Sequence, residues 1–344
     1  METLLAGLFV LTVVIAFHEF AHLVVARLNG VKVRRYSIGF GPVLLKKRIG
    51  ETDYCISLIP LGGYVQLAGH QESAEACKDD DPKSLFDGKS VGARMAIVAA
   101  GPASNYLLAF VIFMSLCFFA GTPVITSRVM EVTPNSPAMK AGIHKGDMIL
   151  AIDGTPVMTF NGVQSALDAH RGNSAVRFLI ARGSQRLTLT AQIPLGPAGI
   201  AFGDRVFKDP HHPIRSVRFG EVTLYNLNKM AVVGFRDMFH GKVAARDAFS
   251  GPIAIVSLSG QMFRVSTYAY LLWIGMISFA VGFMNFLPIP VVDGGYLALY
   301  LLEIVRGKPL ARKTQEVILT AGMFLMLALM IFSVYFDIAR LFHK

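Results

Sequence analysis

Residues 4–26 read LLAGLFVLTVVIAFHEFAHLVVA, an apolar run broken by little more than His18, Glu19 and His22. A helix of about 20 apolar residues spans the hydrocarbon of a bilayer, so the run predicts a transmembrane helix. Ionisable groups are costly at that depth and are usually kept there for function. Their spacing points to a metal. His18 and His22 stand at i and i+4, on one helix face about 6 Å apart, where both can bind one tetrahedral Zn²⁺. Glu19 lies beside them, is not needed as a ligand, and is placed to take a proton from an attacking water.

The run begins almost at Met1, yet it has no basic n-region and no small-residue cleavage site, so it is expected to be retained. Three further stretches have the length and character of spans, near 95–120, 268–287 and 317–336. The whole chain agrees. Of its 344 residues 53% are apolar and 16% charged, and the mean hydropathy is +0.51, too apolar for an ordinary soluble enzyme. The net charge of +10 does not signal nucleic acid, because the basic residues gather in two loops: eleven Lys and Arg in 27–94 and four in 306–313, against none before the first span. By the positive-inside rule both loops are cytoplasmic and both termini lie outside. Cys55, Cys77 and Cys117 are odd in number and lack metal-type spacing, which argues against a disulfide framework and a cysteine zinc site.

Between the first two spans, β-branched and aromatic residues around glycines predict a hairpin or small sheet against the membrane, in 37–42 and 54–66, with Pro60-Leu61-Gly62-Gly63-Tyr64-Val65 as its turn. Residues 68–89, with Asp79-Asp80-Asp81, read as a solvated loop. After the second span, residues 124–203 recover charges and short alternating strands and predict a small α+β domain. Ser136 can cap a short helix, Gly142 can end it, and Asp153-Gly154 can make a tight turn. With Val129 to Val132, Ala141-Gly142-Ile143 and Gly146-Asp147, this stretch resembles a PDZ domain, and Gly199-Ile200-Ala201-Phe202 is a candidate carboxylate-binding loop in it. Residues 219–248 carry apolar side chains at helical spacing and suit either an interfacial helix or a docking helix. The domain organisation is then 1–123, first part of the membrane core; 124–203, the inserted domain; 204–267, a linker with an amphipathic helix; and 268–344, second part of the core.

A catalytic zinc site needs a third protein ligand and an open position. Few acids or histidines adjoin the other spans, and Asp293 is the best placed, in NFLPIPVVDGG at 285–295. Pro288 and Pro290 break that helix and expose backbone groups, tolerable at membrane depth only inside protein or against a wet cavity. His18 lies about 21 Å along its helix from Leu4, toward the cytoplasmic side, and Asp293 at the cytoplasmic end of a descending helix reaches a similar depth.

HEFAH at 18–22, GPASN at 101–105, the inserted domain and NFLPIPVVDGG, in that order, resemble the site-2 proteases, most closely the bacterial branch of the sigma-E regulator protease, over nearly the whole chain. The resemblance implies a multi-pass α-helical membrane protein with four transmembrane helices, a membrane-associated β-hairpin region and one inserted PDZ domain. It implies His18, His22 and Asp293 as zinc ligands and Glu19 as general base. It further implies that Asn285 holds the substrate or its oxyanion, for which a structural hydrogen bond across helices is the alternative. Pro60 to Gln66, with Gly62, Gly63 and Tyr64, would add the substrate as a strand, which re-satisfies backbone groups freed when a helix unwinds; Gly62 and Gly63 would permit its close approach, a simple turn being the alternative. Gly101 and Asn105 are expected to serve helix packing.

The implied substrates are single-span membrane proteins, for example anti-sigma factors, and signal-peptide remnants, in a bacterial inner membrane. Both termini and the PDZ domain would be extracytoplasmic, and the PDZ ligand a peptide or newly cut chain end. The closest relatives commonly carry two tandem PDZ domains, whereas one is legible here. Two rivals stand against a protease. A PDZ scaffold with the spans as anchor has no use for Glu19, and a transporter needs a polar path that the fourth span, without an ionisable residue between Glu316 and Asp337, does not offer.

Overall fold

The computed structural model describes residues 1–70, 77–78, 80–169, 174–193, 198–203, 205–242 and 251–342. In chain order, helix α1 (Glu2–Leu28) leads into strands β1 (Val33–Ile49) and β2 (Thr52–Leu67), then α2 (Val91–Ala120). Next come β3 (Thr122–Ile125), β4 (Val129–Val132), α3 (Pro137–Lys140), β5 (Met148–Ile152), β6 (Thr155–Pro156), α4 (Phe160–Ala169), β7 (Ser174–Arg182), β8 (Gln185–Ile193), β9 (Ile200–Phe202) and β10 (Arg205–Lys208). Among the described residues there follow the helices α5 (Pro213–Phe239), α6 (Pro252–Val265), α7 (Thr267–Phe286), α8 (Asp293–Arg306) and α9 (Arg312–Phe342). Two compact units result, one of Met1–Leu116 with Arg218–Lys344, the other of Cys117–Val217.

Among the described residues four helices are long and apolar enough to cross a membrane: Glu2–Leu28, Val91–Ala120, Thr267–Phe286 and Lys313–Asp337. They coincide with the four expected spans. Val10 and Val14 of α1 bury against Tyr270, Ile274 and Ile277 of α7. Ala109 and Phe113 of α2 pack with Phe279 of α7, and Leu224, Leu227 and Ala231 of α5 cover that cluster. The Tyr106 hydroxyl donates to Asn228 Oδ1 at 2.8 Å. In the 219–248 stretch α5 thus docks one face on the core, while Val222, Tyr225, Met230 and Val232 on it stay exposed; residues 243–248 lie outside the described residues.

Helix α6 was not legible in the stretch taken as linker. It sits tightly on the first turns of α1, since a Cβ at Gly7 would meet Val256 and one at Gly260 would meet Thr3. The Asp337 carboxylate, buried near the end of α9, accepts from the Gly251 and Ala254 amides at 3.1 and 3.0 Å. An acid at a helix N-terminus satisfies amides that lack an intrahelical partner and suits the helix dipole.

The region between α1 and α2 departs from the sequence reading in the position of its turn. The chain reverses at Ile49 and Thr52, and Pro60 to Val65 lies inside β2. Both strands bend, β1 through Gly39 and Gly41 at φ +92° and +83°. As a result residues 33–38 pair on one side with 63–67, residues 35–38 pair on the other with 53–56, and 43–49 pair with 52–57. The sheet rests on a core of Leu23, Val33, Tyr36, Leu67, Phe86, Ile97 and Tyr300. Phe86 and Ala68 are fully buried, so part of the supposed solvated loop is anchored. Lys32 and Arg34 bind Asp80 at 2.7 and 2.6 Å, and the Lys32 hydrogen bond holds that carboxyl below its ordinary range. Residues 71–76 and Asp79 lie outside the described residues.

One ion pair ties α8 to α2. Arg94 donates to Glu303 at 2.7 Å with both side chains largely buried, and its guanidinium lies 4.9 Å from the Tyr300 ring centre. Removing one partner strands the other charge. Glu303→Ala is expected to cost about 3 kcal/mol, read as a lower melting temperature of the purified protein, and to loosen the helix that begins at Asp293.

In the Cys117–Val217 unit a four-stranded antiparallel sheet runs β6-β5-β7-β8, with β4 paired to β9 and β3 to β10. Val129, Ile149, Ile152, Val163, Val176, Phe178 and Ile180 form its core. The local signals act as read. Ser136 Oγ accepts from the Met139 amide at 3.3 Å, Gly142 follows α3 at φ +82°, and Asp153 and Gly154 turn at φ +44° and +82°. In the candidate loop Gly199 to Phe202, Ile200–Phe202 is strand β9, which pairs with β4 along one edge.

Burial raises the Asp147 carboxyl, but Arg182, donating twice at 2.8 Å, and the His144 amide outweigh it and leave the carboxyl below its ordinary range. A lowered folded value means stability present above the unfolded pKa of about 3.9 and lost as pH falls through the folded one. Asp147→Asn is expected to flatten this acid limb, measured by hydrogen exchange in β5 and β7 of the intact chain on acidification.

Candidate metal centre

Helix α1 places His18 and His22 one turn apart, and α8 presents Asp293 in its first turn. The three side chains converge. His18 Nε2 lies 3.0 Å and His22 Nε2 3.5 Å from Asp293 Oδ2, and the two Nε2 atoms are 3.3 Å apart. Theirs is the one group of three metal-ligating side chains found among the described residues. The set suits zinc: two imidazole nitrogens and a carboxylate oxygen leave one tetrahedral position open. Asp293 Oδ2 is buried and has no hydrogen-bond donor, as expected of an oxygen that holds a cation.

The loop before Asp293 explains the NFLPIPVVDGG motif. Leu287 ends α7, the Ile289 amide turns back onto the Leu287 carbonyl at 2.7 Å, and Val291 sits at φ +84°. A β-branched residue there is strained, and the surrounding structure must hold it. Gly294 and Gly295 face the Leu287 and Ile289 carbonyls so closely that no Cβ fits.

Glu19, half-buried, interacts electrostatically with His22, His18 and Asp293. Strand β2 passes beside it: a Cβ on Gly63 would stand 3.0 Å from Glu19 Cγ and 3.1 Å from Ile15. A side chain at 62 would run into Phe40, whose ring stacks on Tyr64 at 6.2 Å. Tyr64 accepts from Arg35 at 3.2 Å. Asn285, half-buried near the end of α7, makes no side-chain hydrogen bond among the described residues.

Helix α2 contributes more than packing. The His22 Nδ1 atom meets the Ile97 carbonyl at 2.8 Å. Asn105, with no exposed surface, has its amide nitrogen 3.2 Å from His18 Nδ1 and its Oδ1 buried without a partner. Between them, Gly101 faces both imidazoles. The four-residue steps 97, 101 and 105 are visible in the sequence. Their direction toward the histidines is not.

A chain with this fold and these three side chains able to hold a metal has the makings of a metalloprotease of the membrane. Its sequence matches the profile of peptidase family M50 over residues 6–329, and the chain belongs to that family. It is 33% identical to a protein of Mesorhizobium japonicum, covering 98% of each chain. It is 30% identical to one of Clostridium perfringens, over 96% of this chain and 97% of the other. A Neisseria meningitidis protein is 29% identical, over 99% and 100%. The names of all three assign them as zinc metalloproteases. Zinc is thus the cofactor of this membrane metalloprotease.

Proposed function

We propose that the protein hydrolyses a peptide bond within the transmembrane segment of single-span substrates, as a site-2-type intramembrane protease of the bacterial sigma-E regulator branch. The observation that carries this is the convergence of His18, His22 and Asp293 at a site seated inside the first apolar helix. His18 and His22 would hold zinc through Nε2, and Asp293 through Oδ2. Bound there, zinc supplies Lewis acidity toward a peptide carbonyl and toward water. Glu19, whose carboxylate makes no hydrogen bond among the described residues, takes the proton of the attacking water and returns it to the departing amine. Asn285 steadies the developing oxyanion.

Residues 63–67 pair with β1 along one side, and their other side faces away from β1. An unwound substrate adds there as a strand, and Gly63 keeps Glu19 uncovered beside it. The Cys117–Val217 unit serves as a PDZ domain that binds a peptide or newly cut chain end. The Neisseria alignment runs over 447 positions against the 344 residues here. The surplus is about the size of one more small domain, which fits a single PDZ domain here. The enzyme works in a bacterial inner membrane, and the basic loops support an orientation with both termini and this domain outside and the active site near the cytoplasm. Release of tethered regulators such as anti-sigma factors, and clearance of signal-peptide remnants, are the matching tasks.

The test is cleavage of a tagged single-span protein by purified enzyme in detergent. Wild type cuts and carries one zinc. Glu19→Gln keeps zinc but slows cleavage by about 10²–10⁴-fold, and a chelator stops it. Cleavage that survives Glu19→Gln would sink the mechanism, and a wild type without zinc would return the PDZ scaffold.

A further inference from the structure

We infer that Asn105 is a positioning residue of the zinc site, accepting the Nδ1 proton of His18 so that Nε2 keeps its lone pair for the metal. The inference rests on His18, His22 and Asp293 being the ligands. A neutral imidazole carries one proton, and a ring that ligates through Nε2 must carry it on Nδ1. That proton needs a buried acceptor. His22 has one in the Ile97 carbonyl at 2.8 Å. For His18 the group within reach is the Asn105 amide, 3.2 Å from Nδ1.

The two ends of an amide have the same shape, and a half-turn about its Cβ–Cγ bond exchanges them. Oδ1 then stands against Nδ1–H, and an oxygen that otherwise lies buried without a donor gains one. The backbone behind it is firmly held. Ser278 Oγ of α7 donates to the Asn105 carbonyl at 2.9 Å, and Gly282 lets that helix approach the Asn105 Cβ. One face of α2 thus presents a carbonyl at 97, an empty place at 101 and an amide at 105, and orients both histidines. Such partners of ligating histidines typically change metal affinity about 10- to 100-fold when removed.

The experiment compares Asn105→Leu, Asn105→Ala and Asn105→Asp in the full-length protein by chelator competition for zinc and by the visible spectrum of the cobalt-substituted form. Melting of the metal-free proteins reports folding separately. Leucine keeps the volume and loses the acceptor, so zinc affinity falls about 10- to 100-fold and the cobalt spectrum shifts. Aspartate keeps the acceptor and retains both. Alanine, which also lacks the acceptor, is the reading if the leucine variant does not fold. Wild-type affinity in the leucine or alanine variant overturns the inference. So does an aspartate variant that melts like the wild type but loses zinc as leucine does. His18→Ala and Asp293→Ala test the underlying reading: if they keep zinc, the ligand assignment fails, whereas if they lose it and Asn105→Leu does not, this inference alone fails.

Discussion

Replacing Gly101 with alanine is expected to empty the zinc site and reduce cleavage to background, while the metal-free protein melts close to the wild type. A Cβ at 101 would fall on the His22 imidazole and stand 2.7 Å from His18 Cε1. Those rings cannot yield and still hold their Nε2 atoms 3.3 Å apart. The helix itself is not harmed, since alanine is favoured over glycine in a helix interior by about 0.8–1.0 kcal/mol. That gain opposes the roughly 1–3 kcal/mol of overpacking. The damage therefore falls on the metal rather than on the fold. Zinc per chain, cleavage of a tagged substrate and apo melting temperature separate the two. A Gly101→Ala protein with full zinc and full activity would mean that α2 does not face the histidines.

Much of the site was legible because its chemistry is written in local spacing. Two histidines four apart with a glutamate between them are informative wherever they occur, and an apolar helix around them leaves few alternatives. Asp293 could be found because acids near spans are scarce. Gly101 and Asn105 could not be assigned a task in this way. A glycine and an asparagine in a membrane helix are ordinary packing residues, and only the facing of α2 onto α1 turns them toward the metal. Long-range pairing also hid the sheet. The pair Gly62-Gly63 looks like a turn, and the turn sits instead at 49–52, where Gly50 takes φ +60°. The two glycines are needed for a different reason, the close passage of Phe40 and Glu19.

Helix α6 escaped notice because its small residues do not form a long apolar run. Gly260 is what allows it to press against Thr3 of α1, and the buried Ser259 receives the Trp273 indole N–H at 2.9 Å. Shape complementarity of this kind has no periodic signature. The inserted unit was easier, because Ser136, Gly142 and Asp153-Gly154 act within a few residues of themselves.

Gly294→Ala is expected to cut proteolysis by at least about 100-fold and to lower zinc occupancy, without touching any ligand. The reason lies in how Asp293 is held. Its side chain leaves the first turn of α8 directly after Pro288 to Val292, and the Gly295 amide closes that turn on the Val292 carbonyl at 2.9 Å. A Cβ at 294 would press into the Leu287 carbonyl and lie 2.7 Å from the carbonyl carbon of Phe286. Backbone against backbone cannot be relieved by a rotamer change, so the start of α8 must move and carry Asp293 with it. A candidate ligand whose oxygen stands 3.0 Å from His18 Nε2 has no slack for such a shift. Gly234→Ala is the control, since a Cβ there meets no atom within 4 Å, and it should leave zinc and cleavage unchanged. If Gly294→Ala matched that control, the third ligand would not depend on the glycine turn, and Asp293 would have to be held by α8 and its Glu303 to Arg94 pair alone.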